Sequence, residues 1–178
     1  MLYNFIKVMY NCQHEYRLSD GTGQEVLLLE TIEIIPMSPE HVGQIAELEK
    51  QCFSLPWSEK AIKTELKNEG AMFFVAKRCN GIAGYIGMHK VLDECYIANI
   101  AVFPEYRRQG IGDRILSFAE NTARQKGCSF ISLEVRVSNL PAIALYEKRG
   151  YLKQGERKDF YSNPKENALI MTKYFNEV

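Results

Sequence analysis

The stretch Asn99-Ile100-Ala101-Val102-Phe103-Pro104-Glu105-Tyr106-Arg107-Arg108-Gln109-Gly110-Ile111-Gly112 decides how the rest of the chain is read. Its apolar first half is a buried strand stopped by Pro104, because proline cannot donate to a sheet ladder. Its second half is a basic, glycine-bearing turn that opens a long helix. Gly110 and Gly112 let a backbone approach closely, and Arg107 and Arg108 supply charge-assisted donors. The helix N-terminus adds N–H groups without partners. Together they form a site for a phosphate or pyrophosphate. No Gly-Lys-Ser/Thr follows, so this is not a Walker A loop. The third glycine of a dinucleotide fingerprint is replaced by Ile115, which excludes that motif too.

Upstream, the pattern is a meander of strands. Tyr96 to Phe103 follows a turn at Asp93-Glu94, and Ile82 to Val91 precedes it. Asn80-Gly81 joins that strand to Phe73–Lys77, and Asn-Gly favours a type I′ hairpin turn. Ile32, Ile34 and Ile35 end at Pro36 as a further strand. Ser38-Pro39 is an N-cap followed by proline at the first helical position, and Val42, Ile45, Leu48, Glu49 and Cys52 recur at helical spacing. A loop with Pro56-Trp57 follows, and Ser58 caps a second helix through Ile62 and Leu66 that ends near Gly70.

Downstream, Ile111, Ile115, Phe118, Ala119, Thr122 and Ala123 share one stripe of a helix that stops at Gly127. Cys128 to Val137 is a strand with Ile131, Leu133, Val135 and Val137 on one face and Glu134 and Arg136 on the other. Ser138-Asn139 caps a short helix that carries Pro141 in its first turn and runs through Tyr146 to Gly150. Asn167 to Tyr174 is a last strand. The order predicts a mixed α/β (α+β) domain around one largely antiparallel central sheet flanked by helices.

Residues 31–178 carry this regular pattern. Residues 1–30 form an N-terminal extension of unknown role, compatible with a disordered arm, an added hairpin or a start placed too far upstream. The whole chain has 178 residues, 46% of them hydrophobic and 25% charged, which suits one soluble domain with a sizeable core. A formal net charge of zero points to neither nucleic acid nor an acidic membrane as partner. Basic chemistry must be local. The five cysteines (Cys12, Cys52, Cys79, Cys95, Cys128) and three histidines are scattered, so neither a zinc site nor a disulfide framework is indicated. No apolar run is long enough to span a bilayer, and the polar residues among the first thirteen make a poor signal peptide. Cytoplasmic placement is the expectation.

Arg107-Arg108-Gln109-Gly110-Ile111-Gly112 after a strand resembles the acetyl-CoA motif of the GNAT N-acetyltransferases. The resemblance covers roughly residues 32–175 on a pattern reading. It implies that the amides of Arg107, Arg108, Gln109, Gly110, Ile111 and Gly112 hold the pyrophosphate of acetyl-CoA. The backbone of Ile100, Ala101 and Val102 would pair with the pantetheine arm, in a cleft between splayed central strands. Further stretches sharpen it: Leu133-Glu134-Val135-Arg136-Val137-Ser138-Asn139, Ala142 to Tyr151, and Phe53-Ser54-Leu55-Pro56-Trp57-Ser58. They are similar to the branch of the family that acetylates the N-terminal alanine of a small-subunit ribosomal protein. By motif, Glu134 corresponds to the general base, Tyr146 to the general acid and Asn139 to an asparagine that contacts CoA. The resemblance implies acetyl-CoA as cosubstrate, no metal, and a protein N-terminus as acceptor, with no direct role for nucleic acid or membrane.

The residues alone leave alternatives open. Singly, Glu134 could be a solvated strand carboxylate and Tyr146 a core tyrosine, although Tyr146 lies two helical turns from Asn139 on the same face. Trp57, the only tryptophan, is a loop anchor or a wall of the acceptor groove. Tyr161 either lines that groove or packs. A GNAT enzyme acting on a small amine, and a non-catalytic acetyl-CoA-binding module, are the competing functions.

Overall fold

The computed structural model describes residues 15–19, 25–29, 32–79 and 81–175, the first two segments by backbone only. Those two segments, β1 (Glu15–Ser19) and β2 (Glu25–Leu29), pair antiparallel as a two-stranded sheet of their own; the rest of the N-terminal extension lies outside the described residues. The remaining strands form one seven-stranded sheet. In chain order they are β3 (Glu33–Pro36), β4 (Ala71–Arg78), β5 (Gly81–Val91), β6 (Glu94–Val102), β7 (Phe130–Arg136), β8 (Leu152–Ser162) and β9 (Lys165–Tyr174), and the sheet order is β3-β4-β5-β6-β7-β9-β8. Among the described strands only β6 and β7 pair in parallel. The β4–β5 hairpin forms as expected, with Arg78 opposite Gly81; Asn80, on which the type I′ reading depends, lies outside the described residues.

Among the described residues, four α-helices cover the two faces: α1 (Val42–Cys52), α2 (Glu59–Glu65), α3 (Ile111–Gln125) and α4 (Leu140–Lys148). Short 3-10 turns at Pro39–His41 and Pro104–Tyr106 precede α1 and α3. The apolar stripe of α1 and Ile62 of α2 pack on Phe73, Val75, Tyr85 and Ala101. On the other face, Ile111, Ile115, Leu116 and Ala119 of α3 and Ile143 and Tyr146 of α4 pack on Ile86, Met88, Ile97, Ile131 and Leu133. Strand alternation divides β4, β5 and β6 between these two cores. Helix ends follow the cap signals. Ser58 Oγ accepts from the Ala61 N–H at 3.2 Å, and the left-handed Gly127 (φ +73°) ends α3.

Two irregularities make room for a site. The β6–β7 ladder runs only from Glu94↔Phe130 to Ile97↔Leu133, after which the strands part. At the same point the β5–β6 register shifts, leaving Ala98 as an extra residue between the pairs Met88↔Ile97 and Gly87↔Asn99. Such a bulge inverts the facing of everything beyond it. Cys95 and Ile97 face α3, and so do Ile100 and Val102, while Asn99 and Ala101 are turned toward α1.

Candidate active site

The parted strands enclose a cleft of about 580 Å³. Its lining brings together Ile100, Glu134, Asn139, Tyr146, Trp57 and Tyr161, six residues singled out from the sequence. Ala101, Val102 and the Arg107–Gly112 turn do not line this cavity; they continue from it along the end of β6.

The β6 backbone is oriented by its pairing. Phe103 N–H donates to Ala83 O at 2.9 Å, so by antiparallel alternation Tyr85 and Ala101 form the next hydrogen-bonded pair. The intervening N–H and C=O groups of Ile100 and Val102 therefore face away from β5, toward the gap left by β7. Val102 O accepts from Arg107 Nε at 3.1 Å. The N–H groups of Ile100 and Val102 are edge-strand donors next to open space.

At the turn, Arg108 (φ +63°) and Gly110 (φ +76°) are left-handed, and a Cβ on Gly110 would meet nothing within 4 Å. The first bond within α3 is Arg114 N–H to Gly110 O at 3.1 Å. The N–H groups of Ile111, Gly112 and Asp113 consequently point out of the helix end, which carries a partial positive charge. Gln109 Nε2 donates to Glu105 O at 3.2 Å. Arg107 is exposed, and its Nη2 donates to Cys52 Sγ at 3.2 Å, so this guanidinium links the end of β6 to the last turn of α1. Burial pushes the Cys52 thiol up, although Arg107 opposes it.

Glu134 alternates with the core residues Leu133 and Val135, and its side chain projects to the face covered by α1 and α2. Its Oε1 accepts from Arg157 Nη1 at 2.8 Å, and its backbone O accepts from Tyr161 OH at 3.3 Å. Tyr146 is only 5% exposed and stands 5.5 Å from Tyr151, centroid to centroid. Burial, with a smaller contribution from Tyr161, pushes its phenol pKa up. Asn139 Oδ1 caps α4 by accepting from Ala142 N–H at 3.4 Å. Tyr161 lies under the Arg136 guanidinium at 4.1 Å. Arg136 itself donates to Ser54 Oγ, Asn163 O and Glu166, tying the β8–β9 turn to the loop after α1.

Sequence reasoning gave no role to Glu49 or Arg157. Glu49 Oε1 accepts from Asn99 Nδ2 at 2.7 Å and from Tyr85 OH, and its Oε2 accepts from Trp57 N–H at 2.8 Å. The signal was its place within the apolar stripe of α1. Arg157 lies on a strand the pattern did not reveal.

Parallel strands parted beside a glycine-bearing helix start, with a carboxylate and a buried phenol lining one cleft, make an arrangement suited to acyl transfer. The chain belongs to the GNAT acetyltransferase family, whose model matches residues 42–151. Among named relatives, a Bacillus subtilis (strain 168) protein provisionally called ribosomal protein bS18-alanine N-acetyltransferase is 39% identical over 142 residues, covering 79% of this chain and 94% of its own length. The ribosomal protein bS18-alanine N-acetyltransferase of Escherichia coli (strain K12) is 36% identical over 128 residues, 70% of this chain and 84% of its own length. The crystal structure of the ribosomal-protein-S18-alanine N-acetyltransferase from Escherichia coli superposes with a TM-score of 0.77 at 30% identity, over 83% of this chain and 96% of that one.

Proposed function

We propose that this acetyltransferase moves the acetyl group of acetyl-CoA to the N-terminal α-amine of a protein, the N-terminal alanine of ribosomal protein bS18 being the foremost acceptor. The observation that carries the reading is the single cleft in which Glu134, Asn139 and Tyr146 meet, in a chain that spans 94% of the length of a relative named for that reaction. The pantetheine arm would lie along β6 and accept from the Ile100 and Val102 N–H groups, as an added strand does. The pyrophosphate would lie over the N–H groups of the Arg107–Gly112 turn.

Magnitudes favour an α-amine over lysine. An α-amine titrates at about 7.7–8.0, so at pH 7 deprotonation costs about 1 kcal/mol, whereas a lysine at about 10.4 costs about 5 kcal/mol. Glu134 would take the proton of the attacking amine, directly or through one water. The Val102 N–H would face the oxygen that gains charge as the amine adds to the thioester carbonyl. Tyr146 would then give its proton to the departing sulfur. The burial that raises its pKa keeps it protonated, and a thiolate formed in the same apolar surroundings is itself made more basic. Holding the two reactants in line supplies much of the rate.

The test is a panel of peptides differing in the first residue, incubated with acetyl-CoA and read by mass spectrometry for N-terminal acetylation. The reading expects acetylation of Ala-starting peptides and none of the same peptide with its N-terminus blocked. Acetylation of the blocked peptide, or of small amines in preference to every peptide, would overturn it.

A further inference from the structure

Glu49 takes no part in this chemistry, yet it is the fully buried carboxylate of the molecule's active face, 0% exposed. A carboxylate stripped of water is tolerated only when donors replace its hydration. Here Trp57 N–H, Asn99 Nδ2 and Tyr85 OH do so, and none of the three is a cation. They come from three elements: the loop after α1, β6 and β5. Two of the three residues, Trp57 and Asn99, line the cleft. Asn99 reaches the carboxylate because the Ala98 bulge turns it toward α1; in unbroken alternation it would face α3. For packing alone, an apolar side chain of similar volume would serve as well or better.

We propose that Glu49 is a positioning residue for the acceptor. By gripping Asn99 and the Trp57 backbone it fixes the cleft wall against which the incoming N-terminus is aligned. This rests on reading that half of the cleft as the acceptor site. The cofactor half, along the end of β6 and the Arg107–Gly112 turn, is held by other contacts.

Glu49→Gln tests it, because an amide offers one acceptor oxygen and presents N–H groups to the donors, leaving at least one donor without a partner. With an Ala-starting peptide and the full chain, the variant should raise the acceptor KM about tenfold or more. The KM and Kd for acetyl-CoA should stay within about twofold. Glu49→Asp, which keeps the charge, should recover part of the loss. Trp57 is the only tryptophan, so its emission in the variant should shift to longer wavelength and be quenched more readily by acrylamide. An unchanged acceptor KM, or an equal rise in both KM values, would overturn the proposal. Should Glu49→Gln fail to fold, Tyr85→Phe leaves the carboxylate two donors. It should still raise the acceptor KM severalfold, and no change there would also overturn it. If the wild-type chain acetylates no peptide, the acceptor reading itself fails. Trp57 quenching then decides the role of Glu49 separately, unchanged quenching in Glu49→Gln counting against it.

Discussion

Glu134 and Tyr146 approach the cleft from different layers: one from the α1 face of β7, the other from the α3 face through α4. In the proposed reaction neither would replace the other, because one would accept a proton and the other release one. Glu134→Gln keeps the volume and removes the basicity, so kcat should fall about a hundredfold or more while acetyl-CoA affinity stays near that of the wild type. Steady-state rates with calorimetric binding would check this, and an unchanged kcat would remove Glu134 from the chemistry. Tyr146→Phe deletes one hydroxyl and leaves the ring packed on Tyr151. It should lower kcat with thermal stability nearly intact; a large loss of stability would mark the tyrosine as structural. Read singly, the two left a solvated carboxylate and a core tyrosine open; both were singled out in sequence by the motifs that carry the family resemblance. Glu49 was not. In an apolar stripe at helical spacing a lone glutamate looks like a boundary residue, and its donors Asn99 and Tyr85 lie 50 and 36 positions away.

Most elements were legible for local reasons: caps at Ser38, Ser58 and Asn139, breaks at Pro36 and Pro104, and alternation along β7. β8 escaped because it is an edge strand exposed along nearly its whole length, with register shifts at Lys153/Gly155 and Arg157/Tyr161 and a left-handed Asp159. No buried face imposes a period on it. The bulge at Ala98 was equally silent, since it is fixed by partners across the sheet rather than by its own residues. At this scale Gly84 of β5 is decisive. A Cβ there would stand 2.6 Å from Ala101 O, a backbone atom of β6 that cannot swing aside. Gly84→Ala should therefore push β6 outward, costing about 1–3 kcal/mol of stability and weakening acetyl-CoA binding. Chemical denaturation and equilibrium binding on one sample would show both effects. A variant that loses stability while its affinity is unchanged would mean that β6 does not carry the pantetheine arm.

Across the whole molecule, the turn end of α3 and the helix bearing Tyr146 are held together by one ionic cluster around the buried Glu120. Arg149, at the end of α4, donates to Asp113 in the first turn of α3 at 3.2 Å and to both oxygens of Glu120 at 2.9 and 2.8 Å, and Lys173 of β9 reaches Glu120 at 2.7 Å. Burial alone would raise the Glu120 carboxyl, but the hydrogen bonds from Arg149 and Lys173 outweigh it and hold the group below the ordinary 4.5. A carboxyl depressed in the folded state contributes stability that is present above its unfolded pKa and is lost as pH falls through the folded one. The thermal midpoint should accordingly lose this contribution progressively below about pH 4.5. Arg149→Met removes the principal donor and leaves a buried carboxylate short of partners, an expected cost of about 3 kcal/mol at pH 7, or roughly 6–12 °C in Tm for a chain of this size. Because Glu120 is then no longer held so far below its ordinary value, the variant's own decline between pH 5 and pH 3 should be shallower than the wild type's, so that the two curves converge in acid. Calorimetry across that range reads both slopes. Parallel curves would show that the pH dependence arises elsewhere, and that Arg149 joins the two helices by packing rather than by charge.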